Sequence, residues 1–544
     1  MRRWLTLALL AAGPVLVVGV FFVLPVSGMV SRGFFADGAF DPGGVLEVLT
    51  RPRVARVAWF TVWSAAVATA VAVVLGLPAA FVLHRLALPG RRIVRAALLV
   101  PFVLPTVVVG VAFRLLLGEG GPLGFLGLDG TPVAIVAGLV FFNVAVVVRA
   151  VGAAWESLDT RPAEAAAALG AAPAQVWWTV TLPALRPAIV GAASVVFLFC
   201  ATAFGIVLTL GGVHYATIET EIYLLTTTLF DLQAAAALSV LQIVVVVVLL
   251  GLAARLRSTP DATAGRTTAR PRRVRSGDLP AIAVTVLVLV AVAAPIATLV
   301  VGSFRADDAW SLANYRALTG VGSNQALLAP VTDALVTSLR TAVDATWMAL
   351  LMGLSVAVLV TRRSQTRTER RARGLLDGFF MLPLGVSAVT LGFGFLITLD
   401  QPPVDLRSSP LLVPIAQALV ALPLVVRTLV PVLAGVDDRQ RQAAASLGAS
   451  PFRAMLTVDL PAAWKPLLAA SGFAFAASLG EFGATSFLAR DEHPTVPVVI
   501  FRLIGHPGEL NYGMALAASV VLATATAVVM LAVERLRVPS VGAF

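Results

Sequence analysis

Apolar runs of bilayer length recur along the whole chain, parted by short polar breaks that carry arginine. A helix needs about 20 apolar residues to cross the hydrocarbon core of a membrane. In the first half such runs lie near 4–26, 57–84, 93–118, 132–152, 187–210 and 233–255. In the second half they lie near 279–302, 332–361, 374–398, 411–434, 466–489 and 512–534. The pattern predicts an all-α polytopic membrane protein with about twelve transmembrane helices. The first run follows Met-Arg-Arg, so a cleaved signal peptide is its alternative reading. It exceeds a usual signal core and no clear small-residue cleavage site follows, so a retained helix is expected.

Between the sixth and seventh runs stands RSTPDATAGRTTARPRRVRSGD, residues 257–278. It is polar, small-residue and Pro-interrupted, and reads as a flexible linker. It divides the chain into a first six-helix domain, 1–256, and a second, 279–544. Six is even, so both halves enter the membrane in the same direction, as parallel repeats do.

Charge sets the orientation. With a cytoplasmic N-terminus, the inner loops hold Arg85, Arg91, Arg92, Arg95, Arg149, Arg161 and Arg186. They also hold the clusters RPRRVR (270–275) and RRSQTRTERRAR (362–373), and Arg427 to Lys465. About 29 of the 40 basic residues then lie inside and about 9 outside, as the positive-inside rule requires. Both termini are expected to be cytoplasmic. The net charge of +11 is therefore mainly a topology signal, and no nucleic-acid partner is expected. An arginine-rich loop that binds RNA or lipid is the alternative use of that charge.

Composition agrees: 59% of residues are hydrophobic and 13% charged, against about 25% charged in soluble domains. Cys200 is the only cysteine, which excludes an intrachain disulfide and a cysteine-rich metal site. The four histidines are scattered without ligand spacing. No metal or other cofactor is expected in this chain.

One segment occurs twice. Residues 164–183 read EAAAALGAAPAQVWWTVTLP and residues 442–461 read QAAASLGASPFRAMLTVDLP. They match at roughly half of their aligned positions, which marks a duplicated structural unit. Each copy lies between the fourth and fifth run of its half, on the cytoplasmic side by the topology above. Each has the pattern helix, break, short helix, break. Gly170 and Gly448 stand where a helix ends on a left-handed residue. Ser450 is a good N-cap before Pro451, whereas the first copy has Ala172 before Pro173. Pro183 and Pro461 open the return into the membrane. The short helices display Trp177 and Trp178 in one copy and Met455 and Leu456 in the other. Such side chains serve as membrane-interface anchors or as docking knobs for a partner. Their duplication fits a two-fold symmetric partner.

This segment resembles the EAA loop of the membrane subunits of ATP-binding-cassette importers. Glu164, Ala165, Ala166, Gly170, Leu182 and Pro183 match that pattern. So do Ala443, Ala444, Gly448, Leu460 and Pro461, with Gln442 in place of the usual Glu. The resemblance implies the type I importer permease fold in both halves, with coupling loops near 164–187 and 442–466. It implies that these loops dock on nucleotide-binding subunits, two copies per chain. It further implies an extracytoplasmic substrate-binding protein as partner and a multi-pass place in the bacterial inner membrane. The Gln442 departure bears on an ionic contact in the second copy.

Other classes account for less. The chain has no G-x-x-x-x-G-K-[ST] phosphate loop, since its only lysine, Lys465, lies between Trp464 and Pro466. ATP hydrolysis is therefore expected in a separate subunit, and this chain is expected not to be an enzyme. A secondary transporter shares the layout of twelve spans in two halves. It needs ionisable residues in mid-span, for which Arg114, Asp344 and Glu481 are the few candidates, and gives no reason for two docking segments. A membrane enzyme needs a nucleophile–base set that the dispersed His and Cys do not provide.

For the substrate, FLFCATAFGIVLTLGGVHYATIETEIY (197–223) and FAFAASLGEFGATSFLARDEHPTVPVVIF (473–501) resemble fused permeases for thiamine and for ferric iron. Both solutes are cations, and thiamine is favoured, with ferric iron as the alternative. Phe204-Gly205 and Phe482-Gly483 keep the repeat in register, which sets Ala203 opposite Glu481. Glu481 reads either as a pathway acid or as a structural acid bonded to nearby backbone. Glu219, Glu221 and Asp231 fall outside the membrane, as a solvated acidic face or, for Glu219 and Glu221, as contacts for the binding protein. Arg114 and Asp344 read as structural, by snorkelling or pairing.

Overall fold

A computed structural model describes residues 11–36, 39–212, 214–256, 271–306, 309–362, 366–401, 404–407 and 409–536. The start of the first apolar run, linker residues 257–270, loop residues 363–365 and both termini lie outside the described residues.

Each of the twelve apolar runs gives helix. Nine helices among the described residues are long and apolar enough to cross a membrane. In the first half they are Ala11–Phe34, Pro52–Arg85, Pro132–Glu156, Pro173–Ala201 and Leu232–Gly251. In the second they are Ser276–Ser303, Val331–Thr361, Leu412–Ala434 and Glu509–Val533. A tenth span arises if the pair Ile93–Phe102 and Thr106–Leu117, bent by 100°, is taken as one. Pro105 forms that bend, since it lacks an N–H and holds Leu104 extended. Its counterpart run breaks at the 3₁₀ turn Leu382–Gly385, between helices Arg367–Met381 and Ala388–Thr398. The run near 466–489 divides into Leu460–Leu479 and Thr485–Leu488.

The repeat extends to side-chain packing. In Pro52–Arg85, Ala68, Ala72 and Gly76 form a small-residue stripe; Ala345, Ala349 and Gly353 repeat it in Val331–Thr361. A Cβ on Gly76 would lie 2.7 Å from Val147, and one on Gly353 would lie 2.5 Å from Val425. Glycine thus permits both close helix approaches, which supply the van der Waals contact that holds membrane helices together. The only strands among the described residues are three two-residue hairpins. Two of them, Phe35–Ala36 with Ala39–Phe40 and Arg305–Ala306 with Ala309–Trp310, follow the first helix of each half.

The described residues form two compact units that cut across the sequence halves. One contains Ala11–Phe34, Ile222–Ile243 and the residues from Ser303 onward; the other contains Thr50–Glu221 and Val244–Gly302. Each half thereby lends its first helix to the unit built mainly from the other. In the former unit, Gly394 admits Pro25 and Met29 of that lent helix, with 3.0 Å from its Cβ position to Pro25.

The end of the linker is fixed, where the sequence suggests a flexible tether over 257–278. Arg272 N–H donates to Arg85 C=O (2.9 Å) and Ala87 N–H to Arg272 C=O (2.8 Å). The Arg272 guanidinium grips both oxygens of Asp278 (2.8 and 2.6 Å) and lies 5.4 Å from the Phe81 ring centroid. These bonds tie the linker to the end of helix Pro52–Arg85.

Candidate functional site

The two repeated segments share one backbone design. Helices Arg161–Ala168 and Asp438–Ser446 end on Gly170 (φ +88°) and Gly448 (φ +81°). Gly170 N–H donates to Ala167 C=O and Ala171 N–H to Ala166 C=O (3.0 and 3.1 Å). Gly448 N–H and Ala449 N–H repeat this on Ala445 and Ala444 (both 3.0 Å). This is the Schellman arrangement, in which a left-handed glycine lets orphan helix carbonyls find donors. The next helices are short, Pro173–Val176 and Pro451–Ala454. Ser450 Oγ caps the second by accepting from Arg453 N–H (3.2 Å), while Ala172 gives the first no side-chain cap.

The break expected at Pro183 and Pro461 is absent, which corrects the sequence reading. Each short helix instead widens into a π turn, Trp177–Thr181 or Met455–Asp459, and runs on as Leu182–Ala201 or Leu460–Leu479. The physical reason lies in the prolines. A proline has no N–H to continue the α-helical ladder. The wider turn carries the chain past it, with Leu182 N–H donating to Trp177 C=O and Leu460 N–H to Met455 C=O.

The paired bulky residues divide their tasks. Trp177 stacks on buried Trp155, with ring centroids 5.5 Å apart. Met455 packs likewise against the cluster containing Leu433. Trp178 and Leu456 face outward, and so do Leu169 and Leu447, the last two nearly fully exposed at 89% and 88%. Glu164, Ala165, Gln442 and Ala443 are exposed beside them. Each segment thus presents an apolar ridge with a bulky side chain packed behind it. Such exposed apolar groups suit a protein interface.

The charges behind the ridges differ. In the second segment Asp459 is buried and accepts from Arg362 (2.6 Å) and Arg441 (2.7 Å). Burial alone would lower the Arg441 pKa, but hydrogen bonds and charge from Asp459 and Asp438 outweigh it and raise it. Behind the first segment, at the end of helix Pro132–Glu156, Glu156 meets His84 (3.0 Å) and Arg95 (2.9 Å) instead.

Away from these segments, Glu481 lies in the break between Leu460–Leu479 and Thr485–Leu488. Its carboxylate accepts from Ala484 N–H (2.7 Å), Thr485 N–H (3.1 Å) and Thr485 Oγ1 (3.1 Å). It is 7% exposed, and this geometry is that of a cap for the short helix that follows. Glu219 and Glu221 are buried, not part of a solvated face. Glu221 takes both hydrogen bonds of an Arg53 fork (2.5 and 3.0 Å). Asp231 caps helix Leu232–Leu256 by accepting from Ala234 N–H (3.0 Å). Asp344 accepts from Trp347 Nε1 (3.2 Å), and Arg114 is exposed. Sequence reasoning missed Asp459, Arg362, Arg441 and Trp155. The one visible hint was an Asp in the second copy where the first has Thr181.

Comparison with known proteins adds the rest. A family model described as "Binding-protein-dependent transport system inner membrane component" matches twice, over residues 72–258 and 349–537. The "Thiamine transport system permease protein ThiP" of Brucella abortus (strain 2308) is 30% identical over 465 residues, covering 83% of this chain and 82% of that protein. The protein of the same name from Escherichia coli (strain K12) is 27% identical over 458 residues, covering 82% and 83%. The "Molybdenum transport system permease protein ModB" of Mycobacterium bovis is 35% identical over 218 residues, covering 38% of this chain and 82% of its own.

Proposed function

This chain belongs to the family of binding-protein-dependent transport system inner membrane components, and on that premise we propose that it is a two-half permease of a thiamine importer. It is a multi-pass membrane component of a transporter. Identity over most of the chain with relatives named for thiamine supports that solute over ferric iron. The observation that carries the mechanism is the duplicated segment, with its left-handed glycine, π turn and exposed apolar ridge in both halves.

In this reading one chain works with two copies of an ATPase subunit and an extracytoplasmic binding protein, and both termini are cytoplasmic. The coupling residues are Glu164, Ala165, Ala166, Gly170, Trp177, Trp178 and Pro183, and their counterparts Gln442, Ala443, Ala444, Gly448, Met455, Leu456 and Pro461. ATP-driven closure of the ATPase pair draws the two segments together. The halves then open the pathway outward to the loaded binding protein, and hydrolysis resets it inward. Two ridges of like construction on one chain give two identical ATPase subunits a docking point each.

The test is uptake by proteoliposomes holding the permease, its ATPase and its binding protein. Labelled thiamine should accumulate only with ATP and binding protein, and unlabelled thiamine should compete. ATP-driven uptake of ferric iron without thiamine uptake would overturn the substrate and leave the permease reading standing.

A further inference from the structure

The two repeated segments share a backbone but not a fastening. In the second, Asp459 closes the π turn and is 2% exposed. Its Oδ2 accepts from Arg362, which follows the end of helix Val331–Thr361. Its Oδ1 accepts from Arg441 on helix Asp438–Ser446. Arg441 also donates to Asp438 Oδ1 (2.8 Å) and Leu433 C=O (2.9 Å). One carboxylate therefore joins the segment, the preceding helix and a membrane helix. Charge-assisted hydrogen bonds of this kind fix direction as well as distance.

The first segment lacks the two residues that build this lock. Thr181 ends its π turn where Asp459 ends the other. Ala163 stands in place of Arg441. Arg85 is the counterpart of Arg362, because each lies nine residues after the glycine of its packing stripe, Gly76 or Gly353. Its Nη1 is buried without a hydrogen-bond acceptor among the described residues. What fastens this segment is the Trp155–Trp177 stack, a ring contact without a charge-assisted bond. Glu156, beside Trp155, pairs with His84 (3.0 Å) and Arg95 (2.9 Å), which holds Trp155 in place but lies ahead of the segment itself.

We infer that Asp459 is a positioning residue that locks the second segment to its membrane helices as a rigid lever, while the first segment, without that lock, shifts against helix Pro52–Arg85 during transport. This rests on the coupling role proposed above. It makes the two halves of one permease unequal: one transmits the stroke and the other absorbs it.

Hydrogen–deuterium exchange and coupling, measured together on the assembled transporter in proteoliposomes, test this. In the unaltered protein, residues 438–459 should exchange roughly tenfold more slowly than residues 161–181. Asp459→Asn should retain the ATPase subunits and hydrolyse ATP within about twofold of normal, while uptake per ATP falls roughly tenfold. Its residues 438–459 should then exchange like 161–181, and Asp459→Glu should restore part of both. Equal exchange of the two segments in the unaltered protein would overturn the inference. So would Asp459→Asn losing hydrolysis and uptake in proportion, which marks a structural role. If Asp459→Asn fails to accumulate, Arg441→Gln removes one arm of the lock; normal coupling and exchange there also overturn it. Failure of the coupling role itself shows separately, as Gly170→Val and Gly448→Val variants that both keep ATPase and uptake.

Discussion

The indole of Trp177 lies against that of Trp155, with planes 27° apart, while its neighbour Trp178 is 65% exposed. Two adjacent tryptophans therefore do different things. One fastens the segment from behind, and the other is part of the face offered to a partner.

That difference gives the first prediction. Trp178→Ala should accumulate normally, since an exposed substitution changes stability by only about 0.5 kcal/mol. It should still lose much of the co-purifying ATPase, because an aromatic at the centre of an interface carries about 2 kcal/mol or more of binding. Trp177→Ala should instead loosen the permease itself by about 1 kcal/mol, the scale of a lost aromatic pair. Thermal unfolding and co-purification of both variants decide it. A Trp178→Ala protein with full ATPase binding would remove that residue from the docking face.

The spans and the repeat were legible in the sequence because both are local patterns. Apolar length marks a helix wherever it occurs, and Gly170 and Gly448 mark helix ends by their fixed place after five helix-forming residues. What was not legible depends on distant partners. Helices that are apolar all round carry no stripe to say which side packs and which meets lipid. The exchange of first helices between compact units therefore left no trace in periodicity. Glu221 looked solvent-facing because its Arg53 partner is 168 residues away. The π turns were missed for a different reason. A proline after a short helix reads as a break, and only the continuous backbone shows that the extra residue of a wider turn lets the helix pass.

Glu481 can now be tested with two substitutions. Glu481→Ala strips acceptors from the Ala484 and Thr485 amides, at about 1–3 kcal/mol for each buried group left unmet. It should reduce the amount of folded permease. Glu481→Gln keeps one good acceptor and should leave both accumulation and most uptake intact if the residue is a cap. Should Glu481→Gln assemble with its ATPase yet lose uptake, the charge itself serves the pathway of a cationic solute. Western quantification and labelled-thiamine uptake on the same membranes separate these results.

Orientation yields a third prediction. A reporter inserted in the arginine-rich stretch 362–373, which runs into helix Arg367–Met381, should be cytoplasmic, because arginine there is costly to carry across the membrane. One inserted near Gly211 should be external. Export of the 362–373 reporter would place the second repeated segment on the side away from ATP, and the coupling role would fall with it.

Gly170 and Gly448 both hold left-handed backbone. A Cβ built on Gly170 or on Gly448 would meet nothing within 4 Å, so bulk is not what excludes other residues there. Backbone conformation is, since φ of +88° and +81° costs an L-residue about 1–2 kcal/mol and a β-branched one more. Asparagine tolerates this region and valine does not. Gly170→Val should therefore open the turn that carries the ridge, leaving the protein in the membrane but stripping its ATPase and abolishing uptake. Gly170→Asn should keep most of both. Gly448→Val should do less damage than Gly170→Val, because Asp459 ties the second segment to Arg362 and Arg441 while Thr181 ties the first to neither. ATPase co-purification and thiamine uptake of Gly170→Val, Gly170→Asn and Gly448→Val measure this. Equal loss with valine and asparagine would show that side-chain bulk matters after all, and full activity in every variant would mean that the segments do not couple the permease to ATP.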